Sequence, residues 1–126
     1  MSRSVGDGGT PTEAKVQFRL RISKGEDIAV GPGKVALLEQ IGATGSITGA
    51  AKALGMSYRR AWLLVDSMNH TFRKPVVETL TGGSHGGGTA VTAIGEEVIR
   101  RYRRTESLAR KAGAAEIAAL LKLLSR

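Results

Sequence analysis

The chain has 126 residues, with 19 Lys and Arg against 11 Asp and Glu, and a formal net charge of +8 at neutral pH. Its composition, 41% apolar and 24% charged, is that of one globular domain and not of a disordered polyelectrolyte. No apolar run nears the roughly 20 residues of a membrane helix, and the absence of cysteine excludes disulfides, thiolate metal sites and cysteine nucleophiles.

Residues 1–14 are rich in Gly, Ser and Thr and are expected to form a disordered tail. They lack the apolar core of a secretory signal, so the expected location is the cytoplasm. From Val16 to Ile22 apolar and polar residues alternate, which predicts a half-buried strand with Val16, Phe18, Leu20 and Ile22 inward. Residues 23–26 read as a turn, and Ile28, Ala29 and Val30 as a short returning strand. Pro32 suits the first turn of a helix carrying Val35, Leu37, Leu38 and Ile41, closed by Gly42 and Gly45. Ser46 is a good N-cap for a second helix over 47–54, which Gly55 ends. Ser57 caps a third over 58–70, with Ala61, Leu64, Val65 and Met68 as its inner face.

Pro75 stops that helix, and a strand over 76–81 follows. Five glycines between 82 and 88 are too flexible for a packed element, and 89–91 returns as a strand. Thr92 opens a long helix with Ile94, Val98, Ile99 and Tyr102 on its apolar side. Gly113 breaks it before a last helix that aligns Ile117, Leu120, Leu121 and Leu124. The expected fold is mainly α with a small β component: a winged helix-turn-helix with an N-terminal strand and C-terminal dimerisation helices. Residues 15–112 would form the DNA-binding domain and 113–126 the dimerisation element.

Helix, glycine turn and helix over 46–70 carry the functional signal. Ala50 and Ala51 allow a close crossing, and Gly55 takes a turn that a side chain would penalise. The helix after the turn starts with Ser57, Tyr58, Arg59 and Arg60, and the N-terminal residues of a recognition helix are the ones that reach base edges. Trp62 lies one turn on, either near DNA or packed on the wing or the first helix. Arg73 and Lys74 flank the base of a hairpin and are candidate phosphate contacts. Its glycine-rich tip, with Gly83, Ser84, His85, Gly86 and Gly87, can lie along a sugar-phosphate backbone. Ser46 offers a further donor at a helix start.

Catalysis is not expected. His70 and His85 have no metal-ligand spacing, Glu96 and Glu97 diverge on their helix, and no nucleophile elbow or phosphate-binding lysine loop is present. No cofactor is expected. An αα-hairpin without a nucleic-acid partner and a non-specific architectural DNA-binding protein are the alternatives.

The stretches Gly45-Ser46-Ile47, Ala50-Ala51-Lys52, Gly55-Met56-Ser57-Tyr58, Ala61-Trp62, Met68-Asn69, Gly82-Gly83, Gly86-Gly87-Gly88 and Thr92-x-x-Gly95 together resemble the DNA-binding domain of the ModE family. These are bacterial molybdate-responsive transcriptional regulators whose winged helix is related to that of LysR-type regulators. The resemblance, over about residues 32–102, implies a homodimer on a palindromic operator in double-stranded DNA. It places Ser57, Tyr58, Arg59, Arg60 and Trp62 at or near DNA and makes 82–88 the wing. Family members also carry oxyanion-binding domains, whereas here the sequence ends in helix soon after Tyr102. A stand-alone DNA-binding domain is therefore expected, with no tight molybdate binding by this chain alone and no membrane partner. Ile117, Leu120, Leu121 and Leu124 are the expected dimer seam.

Overall fold

Helix α1 (Pro32–Thr44) is the centre of the molecule's main unit because its apolar residues do not confine themselves to one stripe. Val35, Leu37, Leu38 and Ile41 are all fully buried, so neighbours must cover more than one face. Helices α2 (Ile47–Leu54) and α3 (Tyr58–Thr71) and two short hairpins supply that cover. In this computed structural model residues 13–80 and 88–125 are described.

The element order is β1 (Ile22–Lys24), β2 (Asp27–Val30), α1, α2, α3, β3 (Val77–Leu80), β4 (Gly88–Val91), α4 (Ala93–Ala112) and α5 (Ala114–Lys122). Among the described residues the fold is mainly α, with two antiparallel two-stranded ribbons, β1–β2 and β3–β4. None of these helices is long and apolar enough to cross a membrane.

The chain divides into two units, residues 19–105 and a smaller one of residues 1–18 with 106–126. In the larger, Leu37, Leu38, Ile41, Ala50, Ala61 and Met68 form the fully buried heart of the core. Fully burying a leucine, isoleucine or methionine side chain contributes about 1.5–3 kcal/mol. Tyr102 joins Val30 and Val35 in an adjoining cluster, and its hydroxyl donates to the Leu20 carbonyl at 2.8 Å. Arg103 holds Glu39 through two bonds, of 2.9 and 2.6 Å, tying α4 to α1.

In the smaller unit the Arg110 guanidinium donates to the Val16 carbonyl at 3.2 Å and lies 5.2 Å from the centre of the Phe18 ring. Helix α5 starts at Gly113 without a side-chain cap and buries none of its residues.

Three sequence expectations need correction. The strand over 16–22 shrinks to a β1 that begins at Ile22, and Ile22 is 52% exposed where an inward position was expected. Its register explains why: Ile22 pairs with Val30, so extending the ladder would oppose Leu20 to Pro32, which has no N–H and already opens α1. The alternation survives only as half-burial of Val16, Phe18 and Leu20. Gly42 does not close α1, which runs through it to Thr44 and ends at Gly45 in the left-handed conformation, φ 75°. Leu124 lies beyond α5, whose C-cap is Leu123, because the last turn closes with a bond from the Leu123 N–H to Leu120. The expected tail over residues 1–12 and the tip of the wing over 81–87 lie outside the described residues.

Candidate nucleic-acid interface

The pairing of α2 with α3 follows from three local decisions. Ser46 adopts an extended backbone, and its Oγ accepts from the Gly49 N–H at 2.8 Å, starting α2. Gly55 ends α2 at φ 67°, a conformation costly for any residue with a Cβ. Ser57 starts α3 in the same way, its Oγ accepting from the Arg60 N–H at 3.1 Å. Ala50, Ala51 and Ala61 are buried between the helices, where larger side chains would hold the backbones apart.

The outer face of α3 stays uncovered. Tyr58 is 54%, Trp62 46% and Leu63 48% exposed. With Arg59 they line an open groove of about 300 Å³. Arg60, the next residue, points to another surface. It lines a cleft of about 470 Å³ with Arg19, Arg21 and Lys34. The two arginines at the start of α3 are therefore not equivalent.

The hairpin β3–β4 is fixed beside α3 by one side chain. Asn69 Oδ1 accepts from the N–H groups of Val76 (2.8 Å) and Val77 (3.2 Å), and its Nδ2 donates to the Val77 carbonyl at 3.0 Å. On the other strand the Thr89 N–H donates to the Gly45 carbonyl at 3.0 Å, so the hairpin is also attached to the turn between α1 and α2. Thr92 completes the frame: its Oγ1 donates to the Pro75 carbonyl at 2.7 Å and accepts from the Gly95 N–H at 3.1 Å, starting α4. A cleft of about 190 Å³ separates hairpin from helices, with Ile47, Trp62 and Asp66 on one wall and Val77, Thr79 and Thr89 on the other. Two helices joined by a glycine turn, with a hairpin strapped alongside the second, form a helix-turn-helix followed by a wing.

The chain is similar in sequence to several curated proteins. The chain is 45% identical over 78 residues to the molybdenum-pterin-binding protein MopB of Rhodobacter capsulatus, 62% of this chain and 29% of that one. It is 38% identical over 92 residues to the molybdenum transport protein ModE of Azotobacter vinelandii, 71% of this chain and 34% of that one. It is 36% identical over 100 residues to the transcriptional regulator ModE of Yersinia pestis, 79% of this chain and 37% of that one. The similarity covers between 62% and 79% of this chain. The chain spans about a third of the length of the curated relatives it matches. No protein-family profile matches it.

The residues singled out from sequence fall into four groups. Ser57, Tyr58, Arg59 and Arg60 are all exposed in or before the first turn of α3, and Trp62 is on the same helix one turn later. Arg73 and Lys74 are exposed at the other end of α3, roughly 20 Å along the axis at 1.5 Å per residue. The oxygen of Ser46 is engaged in capping α2. Gly83, Ser84, His85, Gly86 and Gly87 lie outside the described residues. In the smaller unit Leu120, Leu121 and Leu124 are 63%, 39% and 58% exposed, with Ile117 half-buried.

Sequence reasoning missed two positioning side chains. Asn69 was visible in the Met68-Asn69 stretch of the resemblance but without a role, and its three bonds to the wing join residues seven and eight positions apart. Lys34 donates to the Ile28 carbonyl and to Ser67 Oγ at 3.2 Å, linking β2, α1 and α3. Partial burial lowers its pKa from the usual lysine range, and the charge of Asp27 opposes that shift.

Proposed function

We propose that this chain is the DNA-contacting part of a ModE-type transcription regulator, acting in the cytoplasm without catalytic chemistry of its own. It binds a palindromic operator as a homodimer, with α3 entering the major groove and the hairpin lying along the backbone beside it. One observation carries the reading. The start of α3 presents Ser57, Tyr58, Arg59 and Arg60 to solvent on a helix whose opposite face is locked into the core by Ala61, Val65 and Met68. A rigid helix with a cationic, hydroxyl-rich leading turn is what reading base edges requires.

The net charge of +8 supports the partner, and the similar proteins named as transcriptional regulators support the role. The uncovered leucines of the smaller unit support the homodimer, since an exposed apolar stripe usually marks an interface. In this reading Arg73, Lys74 and the wing residues Gly83, Ser84, His85, Gly86 and Gly87 contact the phosphodiester backbone. The chain supplies the DNA contact and no molybdate site.

Selection of bound duplexes from a random pool, followed by competition at fixed salt, tests the reading. A recovered sequence with inverted half-sites, bound at least about a thousandfold tighter than mixed-sequence DNA, supports it. Equal affinity for selected and mixed DNA would instead favour an architectural protein that reads only phosphates.

A further inference from the structure

The cleft beside the start of α3 gathers cations from three separate segments: Arg19 and Arg21 before β1, Lys34 in α1 and Arg60 in α3. The carboxylates in its lining are Glu26 and Asp27. Lys34 is already committed to Ile28 and Ser67. Among the described residues, Arg19, Arg21 and Arg60 are exposed and make no ion pair with a carboxylate. The Arg21 stem is packed on backbone: a Cβ on Gly31 would sit 3.3 Å from its Cγ. Arg59, by contrast, belongs to the groove lined by Tyr58, Trp62 and Leu63.

We propose that Arg60 acts with Arg19 and Arg21 as a clamp on the DNA backbone at the flank of the half-site, and that Arg59 alone of the two adjacent arginines reads a base. The inference deepens the DNA-binding reading and rests on it. A cleft of about 470 Å³ with three guanidiniums free of carboxylate partners suits a phosphodiester, whose oxygens accept forked N–H pairs. A base edge deep in the groove needs a side chain projecting from the helix's outer face, and Arg59 occupies that face beside the exposed Tyr58, Trp62 and Leu63. The segment ahead of β1 thereby becomes part of the interface, although no helix-turn-helix pattern includes it.

The test measures binding of the full chain to a mixed-sequence duplex and to a duplex selected from a random pool, across a salt series. Arg19→Ala/Arg21→Ala and Arg60→Ala should each weaken both duplexes alike, by roughly tenfold. The slope of log affinity against log salt should fall by about 0.9 for each phosphate that the variant no longer neutralises. Arg60→Lys should keep the salt slope, since an ammonium still neutralises a phosphate as a point charge, whereas Arg59→Lys should lose preference for the selected duplex. Arg59→Ala should reduce that preference by about 5- to 100-fold.

If the unmodified chain binds duplex DNA and the Arg19/Arg21 pair changes neither affinity nor slope, the clamp is wrong while the DNA-binding reading stands. The same holds if Arg60→Ala relaxes sequence preference. An unmodified chain that binds neither duplex overturns both.

Discussion

Helices α2 and α5 are of similar length and similarly rich in alanine and aliphatic residues, yet α2 buries Ala50 and Ala51 in the core and α5 buries nothing. Their ends differ. Left-handed glycines bracket α2, Gly45 at φ 75° and Gly55 at φ 67°, and let the chain reverse so that α1 and α3 close over it. Gly113, ahead of α5, has φ −96°, and neither end of α5 carries such a turn. An apolar helix becomes core only when its flanking turns return neighbours to it. Without them the same composition remains a surface, available to a second molecule.

Leucine truncation should separate the two regions most sharply. Leu38→Ala removes a fully buried side chain from α1 and should lower the free energy of unfolding by about 2–5 kcal/mol. Leu120→Ala, at a position 63% exposed, should change that of the dissociated monomer by less than about 0.5 kcal/mol. In the proposed homodimer it should weaken self-association in sedimentation at micromolar concentration. Equal losses on urea unfolding would show that α5 is core after all.

Glycine substitution gives the next contrast. A Cβ on Gly95 would meet the Val76 carbonyl oxygen at 2.3 Å and Val91 Cγ1 at 2.6 Å, so α4 and the wing could not both stay in place. Gly95→Ala should cost about 3 kcal/mol, the upper end for overpacking. A Cβ on Gly113 would find its nearest neighbour, the Ala109 carbonyl oxygen, at 3.3 Å. Gly113→Ala should therefore shift stability by no more than about 1 kcal/mol. Thermal unfolding of the two variants checks the difference.

The smallest effect concerns the ion pair that ties α4 to the core. The hydrogen bonds from Arg103, more than its burial, determine the Glu39 carboxyl's behaviour and hold its pKa below the usual range. A carboxylate with a depressed folded pKa contributes stability that is present above its unfolded pKa of about 4.3 and lost as pH falls through the folded value. Both side chains are more than a third exposed, at 42% and 36%, so the contribution should stay below about 1 kcal/mol. Glu39→Gln should remove this part of the acid dependence, and unfolding measured between about pH 5 and 3 would show it.

Much of the main unit was written locally. The caps Ser46 and Ser57, the stop at Gly55 and the apolar spacing of α3 each act within a few residues, so the sequence alone determined α2, the turn and α3 almost to the residue. The charge of +8 and the run from Ser57 to Arg60, which carry the expectation of a DNA partner, are likewise features of the sequence itself. Tertiary structure decided what depends on partners distant in the chain. The strand expected from Val16 onward failed because its ladder would have run into Pro32, a constraint visible only once the register with β2 is known. Asn69 became the wing's anchor, and Arg59 and Arg60 came to face different clefts, because three-dimensional packing brings residues 19–21, 34, 60 and 77 to their places around α3. Periodicity and capping are short-range physics and can be read along the chain. Which polar side chain meets which backbone is set by long-range contacts, and only the folded arrangement fixes it.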